Sequence, residues 1–150
     1  MTKTETLAAV RDSARNAALY LQSRAGNMTG TELYASAEYI PEFAAVIASG
    51  NMLDRPAGFV CRSSAGRVVR LIQPYDSTIY PGEPETLPAQ WGFKWSTDPA
   101  KAQPFIALAT SPYMTGDCCA DGGGKTYRSK MDNNVYSPAD YPAGWEEVEE

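Results

Sequence analysis

The sequence contains no histidine, and this absence removes a whole class of sites. Histidine is the commonest metal ligand and general base, so neither a Ser-His nor a Cys-His catalytic pair can form. A Gly-x-Ser-x-Gly nucleophile elbow is also missing. Paired carboxylates such as Asp132 and Asp140 could act in glycoside cleavage, but any acidic chain offers such pairs. We therefore expect a protein that is not an enzyme and that needs no cofactor or metal.

Cysteine is scarce as well. Cys61, Cys118 and Cys119 fit neither a disulfide framework nor a zinc ribbon. The neighbours Cys118 and Cys119 would point to opposite faces of a strand. The pattern favours ordinary strand residues, with a redox or metal role as the alternative.

Positive charge and long apolar runs are limited. The 13 lysines and arginines against 18 aspartates and glutamates leave a net charge of −5. This balance argues against nucleic acid as a partner, because phosphate binding needs a basic face. No apolar run approaches the roughly 18 residues of a membrane span. The N-terminus also lacks a secretory signal pattern, so we expect no membrane partner and, for a role outside the cell, release by a route such as lysis.

The residues that are present indicate a folded chain. The 43% hydrophobic and 11% aromatic content argue against disorder. A length of 150 residues suits one ordinary domain or two very small ones. Glycine and proline concentrate after residue 50, which is typical of short strands joined by turns.

Apolar spacing predicts one long helix over residues 4–25. Its apolar stripe consists of Leu7, Val10, Ala14, Ala17 and Leu21. Thr2 and Glu5 have the spacing of a capping box, and Gly26-Asn27 would end the helix. Two interpretations of the stripe stay open: packing on its own domain, and self-association, for instance as a trimeric stalk.

Shorter elements follow this helix. The segment that begins at Thr29 and Glu32 predicts a short helix over 31–38, ended before Pro41. Residues 43–50 are apolar and fit either a helical turn or a strand.

An internal repeat dominates the rest of the sequence. Gly58–Arg70 reads like Gly116–Arg128, with two glycines eight apart in each copy and an offset of 58. Each copy runs on to a Pro-Ala-x-Trp ending, at Trp91 and Trp145. The repeat predicts two hairpins with glycine at their turns, and it is more typical of a binding module than of an enzyme.

We therefore predict an α+β fold in three parts. A helical anchoring or oligomerisation segment would occupy residues 1–40, a degenerate first module 41–96, and a second module 97–150. Both modules would be small and based on β-hairpins. Residues 96–103 have the composition of a linker.

Aromatic residues in polar loops are the best candidates for a site. Tyr136 lies in the proline-bounded loop Asp132–Pro138, where a flat ring can stack against the apolar face of a sugar. Nearby amides and carboxylates, Asp140 among them, could bind the sugar hydroxyls. The candidate carbohydrate-binding residues are Tyr136, Asp132, Asn133, Asn134, Tyr141, Tyr75 and Tyr80. The alternative is that each ring packs only against its own loop, as we expect Trp91 and Trp145 to do in the core.

Several spaced elements resemble a known family in the same order. Gly124-Lys-Thr-Tyr-Arg-Ser129, Asp132-Asn-Asn-Val-Tyr-Ser-Pro138 and Tyr141-Pro-Ala-Gly-Trp-Glu-Glu-Val148 resemble the chitin-binding type 3 module, a carbohydrate-binding family 5/12-like fold. The likeness is to the version carried by tailed-phage and prophage structural proteins, and it covers residues 104–148. Residues 41–93 look like a degenerate first copy. Tyr136 stands where that family usually has an exposed tryptophan.

The resemblance implies a non-catalytic protein on the virion surface, made in the host cytoplasm without a signal peptide. We expect it to recognise host or environmental glycan, to contact other virion proteins of the capsid or tail, and to form a homo-oligomer. The alternative is a purely structural capsid decoration or tail/baseplate protein, whose modules mediate protein–protein packing.

Overall fold

Helices precede two small sheets in this computed structural model, which describes residues 2–149 but not the side chains of Val10 and Ala14. The α+β class and the N-terminal helix are therefore as predicted. The helices are α1 (Lys3–Arg24), α2 (Gly30–Ala35) and α3 (Phe43–Ser49). The strands are β1 (Val60–Arg62), β2 (Val68–Leu71), β3 (Trp91–Phe93), β4 (Gln103–Pro104), β5 (Cys118–Ala120), β6 (Thr126–Ser129) and β7 (Trp145–Val148).

Helix α1 begins with the predicted capping box. The Thr2 side chain accepts from the Glu5 amide, and the Glu5 carboxylate accepts from the Thr2 amide. The apolar stripe is divided between two environments: Leu7 is 53% exposed, whereas Leu21 is buried. The helix thus packs on the rest of the chain through its C-terminal half, and self-association of its N-terminal half stays a prediction. None of the helices in residues 2–149 combines the length and apolarity needed to cross a membrane.

The two shorter segments predicted after the first helix, 31–38 and 43–50, correspond to α2 and α3. The predicted helix start at Thr29 is present, and a capping box joins Thr29 and Glu32 at the start of α2. The helix is shorter than expected, because a 3₁₀ turn over Ala37–Tyr39 replaces its last turn. A Cβ atom at Gly30 would clash with the backbone carbonyl of Trp95, so only glycine lets α2 approach the segment that follows β3. The ambiguous segment 43–50 forms α3.

The sequence repeat is a structural repeat. In the first sheet β1, β2 and β3 run antiparallel, with Val60 opposite Arg70. In the second sheet Cys118 stands opposite Arg128 at the same offset of 58, and β4 adds a parallel edge strand. The four repeat glycines all have positive φ, between 85° and 98°, a conformation that glycine adopts without strain. The predicted glycine-turned hairpins are thus confirmed.

A tryptophan fixes the core of each sheet. Trp91 meets Phe43 edge-on at 5.9 Å between ring centroids, and Trp145 meets Phe105 edge-on at 6.0 Å. Both tryptophans are buried, as predicted. The matched pairs show that the repeat extends to the aromatic residue that precedes each hairpin.

The two sheets share one buried cluster. Trp95, just after β3, stacks on Tyr113 of the second half with ring centroids 4.3 Å apart. Residues 96–103 do not form the predicted linker, since Ser96 is buried and a 3₁₀ turn over Pro99–Lys101 contacts β5 and β6. The Ser96 carbonyl also accepts from the Cys118 amide. Tertiary contacts here override a composition that is typical of flexible segments.

Candidate functional site

A buried asparagine organises the loop that carries Tyr136. The Asn134 Nδ2 group donates to Ser129 Oγ at 3.1 Å and to the Gly144 carbonyl at 3.2 Å. Its Oδ1 atom accepts from the Tyr136 amide at 3.2 Å. Asn134 is 0% exposed, and both the nitrogen and the oxygen of its side-chain amide form hydrogen bonds within the protein. It therefore supports the loop and cannot contact a ligand, which corrects its place among the candidate binding residues.

The backbone of Tyr136 is held from a second side. Trp145 Nε1 donates to the Tyr136 carbonyl at 2.8 Å. The chain reaches this point through Asn133, whose φ of 55° lies in the left-handed region that asparagine tolerates. The loop therefore presents the Tyr136 ring from a backbone fixed on both sides.

Tyr136 and Tyr141 form an exposed aromatic corner. Their ring centroids are 5.7 Å apart at an interplanar angle of 69°, and 53% and 42% of the two residues is exposed. Met131 and Asp140 complete a cleft of about 350 Å³ between them. The corner offers apolar ring surface beside one carboxylate, the combination that a pyranose ring with hydroxyl groups requires.

Two further predicted residues lie near this corner without lining the cleft. Asp132 is exposed and accepts from the Thr115 amide at 3.0 Å, a hydrogen bond that lowers the pKa of its carboxyl. Asn133 is exposed in the same loop. A ligand that fills the cleft would reach them only by extending beyond it.

The two tyrosines of the first module have opposite environments. Tyr75 is 5% exposed, its hydroxyl accepts from Trp91 Nε1 at 3.0 Å, and its ring meets the indole edge-on. It therefore completes the core and cannot serve as a stacking platform, which corrects its place among the candidates. Tyr80 is 49% exposed and remains available.

The cysteines lie in strands and are buried as free thiols. Burial raises the pKa of Cys61 and of Cys119 to about 12, and it also raises the pKa of Cys118. Within residues 2–149, no three histidine, cysteine, aspartate or glutamate side chains come together in a way that could hold a metal ion.

One pair of equivalent positions was not predicted from the sequence as a possible site. Arg70 and Arg128 are equivalent in the repeat, but Gly92 stands opposite Arg70 where Glu146 stands opposite Arg128. The offset between copies changes from 58 in the hairpin to 54 at the tryptophans, because the first loop is longer. The sequence contains both Gly92 and Glu146, but only the strand register shows that they occupy equivalent positions.

Comparison of the chain with protein-family models, with curated proteins and with solved structures gave no match.

Proposed function

We propose that the protein is a non-catalytic glycan-recognition protein whose second module binds sugar at the corner formed by Tyr136 and Tyr141. The observation that carries the proposal is the exposure of both rings on a loop whose backbone is fixed by Asn134 and Trp145. An aromatic ring that only packed its own loop would be covered, as Tyr75 is.

The geometry suits a saccharide for a physical reason. A pyranose ring presents apolar C–H groups on its faces and hydroxyl groups around its edge. The Tyr136 ring offers the apolar surface, and the Asp140 carboxylate and the tyrosine hydroxyls offer hydrogen-bond partners at the rim. Because the loop is already ordered by its internal hydrogen bonds, binding loses little further conformational entropy.

The sequence resemblance to modules of tailed-phage structural proteins supports a place on a virion surface. A single small cleft of this kind would bind weakly. Many copies on one particle would raise the overall avidity without any new contact. In this proposal α1, most of whose described side chains are exposed, provides the attachment or oligomerisation segment.

A second candidate function is a structural capsid decoration or tail/baseplate role. Helix α1 exposes Leu7, Leu19 and Tyr20 by 53%, 62% and 62%. A cleft of about 700 Å³, mostly apolar, lies beside α1 and α3. Exposed apolar surface of this extent is typical of contacts between proteins.

A glycan array tests the first proposal. The full chain is displayed on beads, so that weak sites act together, and is probed with chitin fragments and bacterial wall polysaccharides. Tyr136→Ala should weaken binding roughly tenfold per site, because losing apolar ring contact on the order of 1.4 kcal/mol changes an affinity by that factor. Tyr20→Ala is the matched control, since it removes a tyrosine of comparable exposure from α1.

The outcomes separate the two functions. Binding that Tyr136→Ala weakens by the expected factor and Tyr20→Ala preserves supports the glycan site. Binding that is unchanged by Tyr136→Ala shows that the corner is not the site. Silence across the array, with circular dichroism showing a folded chain, favours the structural role.

A further inference from the structure

The two modules differ in the residue that stands opposite one arginine of the hairpin. In the second module Arg128 stands opposite Glu146, and the two side chains form an ion pair at 3.6 Å. In the first module Arg70 occupies the place of Arg128, and Gly92 stands opposite it. The first module therefore keeps the guanidinium and lacks the carboxylate.

Arg70 has no replacement partner. Its guanidinium makes neither an ion pair nor a hydrogen bond with any of residues 2–149. The guanidinium lies over the Gly58 turn, where a Cβ atom at Gly58 would be 3.6 Å from Arg70 Nη2. An arginine without a partner presents five donors in a planar fork that matches a carboxylate.

Space exists where the missing carboxylate would lie. A cleft of about 320 Å³ is lined by Arg70 and Lys94, by the Gly92 backbone, and by Ile72 and Thr110 among others, with no acidic side chain. A lining with two cations and no acidic side chain contrasts with the net charge of −5 for the whole chain. The local field of this cleft favours a negative group.

We propose that this cleft binds the carboxylate of an acidic sugar residue, a uronic acid, through Arg70 and Lys94. The ligand carboxylate takes the position that Glu146 takes against Arg128 in the second module. The Gly92 backbone leaves room for the sugar ring, and Ile72, which is 50% exposed, offers apolar contact at the edge of the cleft. The inference rests on the proposed glycan-binding function and gives the first module its own substrate class.

Titration followed by NMR tests this site in the full chain. Sodium glucuronate and short glucuronate oligomers are added to ¹⁵N-labelled protein, with glucose and neutral chitin fragments as parallel probes. The Gly92 and Gly58 amides and the Arg70 Nε–H signal should shift with glucuronate and not with glucose. Raising the salt concentration should weaken the effect, since the attraction between charges is screened.

Two substitutions remove the site in different ways. Arg70→Gln removes the charge, whereas Gly92→Glu supplies the internal carboxylate of the second module and fills the cleft. A Cβ atom at Gly92 has ordinary contacts, with its nearest neighbour at 3.7 Å, so this variant should fold. Gly122→Glu is the control, because it adds the same charge where no atom lies within 4 Å of the new Cβ.

We expect both site variants to weaken glucuronate binding at least tenfold and Gly122→Glu to leave it unchanged. Unchanged binding in Arg70→Gln and Gly92→Glu, or no shift at Gly92 with glucuronate, would overturn the inference. A glutamate-rich peptide that shifts Gly92 as strongly as the glucuronate oligomer would overturn the assignment to sugar.

The same variants keep this inference separate from the proposed function. Neutral glycan binding that depends on Tyr136 and not on Arg70 leaves the proposed function intact and removes the acidic site. Glucuronate binding that depends on Arg70 supports the acidic site, and the aromatic corner is removed if neutral glycan binding is absent or unchanged by Tyr136→Ala.

Discussion

Arg67 joins three parts of the structure through a buried charge. Its Nη1 atom lies 3.4 Å from Glu85 Oε1 in the long loop of the first module. Its Nη2 group donates to the Pro104 carbonyl of the second sheet at 2.8 Å. The two side chains are 9% and 16% exposed, and neither Arg67 Nε nor Glu85 Oε1 has a hydrogen-bond partner among the described residues, so the pair is held by charge attraction. The ion pair therefore supplies much of the compensation for burying both charges.

We predict that Arg67→Met destabilises the protein by about 3–5 kcal/mol, because it leaves the Glu85 carboxylate buried without a counterion. The double variant Arg67→Met/Glu85→Leu should cost only about 1 kcal/mol. Replacing both members of a buried pair with apolar groups is often close to neutral, and the remaining cost is the lost hydrogen bond to Pro104. The coupling between the two positions should thus exceed about 2 kcal/mol.

Urea unfolding followed by tryptophan fluorescence measures these values, since Trp91, Trp95 and Trp145 are all buried in the folded state and unfolding exposes them. A natural domain is stable by only about 5–15 kcal/mol, so Glu85→Gln serves as a milder variant if Arg67→Met does not fold. A loss below about 1 kcal/mol for Arg67→Met, or equal losses for the single and double variants, would refute the reasoning.

Two further predictions concern the hairpins. Gly124→Ala should cost about 1 kcal/mol in urea unfolding, because φ is 85° there and no atom within 4 Å adds a clash. Gly122→Ala, two residues earlier, should have little effect, and equal losses at both positions would contradict the argument. The raised pKa of Cys61 and Cys119, about 12, keeps these thiols protonated in the folded state. They should resist labelling by iodoacetamide at pH 9, and rapid labelling of the folded protein would contradict this. The free energy of unfolding should also fall as the pH rises from about 9 towards 12, because the thiols ionise at a lower pH in the unfolded chain.

Local features of the sequence were sufficient to predict the helix starts and the hairpin turns. Both capping boxes formed, because Thr2 with Glu5 and Thr29 with Glu32 satisfy backbone groups only three residues away. The glycine-turned hairpins formed because a backbone with positive φ favours glycine whatever surrounds it. The burial of Trp91 and Trp145 followed from their size and from their place at the end of each repeat.

Only the tertiary structure decided which polar-loop residues are available to a ligand. Tyr75 and Tyr136 both lie in proline-bounded loops, yet one is buried against Trp91 and the other is exposed. Asn134 is exposed in no part, although its two sequence neighbours on the N-terminal side are both exposed. These differences arise from hydrogen bonds to residues 9 to 16 positions away along the chain, which local sequence patterns do not encode.

The same reason applies to the contacts between the modules and to the unpaired Arg70. The linker-like composition of 96–103 gave no sign that Trp95 would stack on Tyr113 and join the two sheets. The absence of a partner for Arg70 became visible only when the strand register placed Gly92 opposite it. The sequence by itself determined the elements and their repeat, whereas long-range packing decided which surfaces those elements leave open, because burial depends on residues that are distant along the chain.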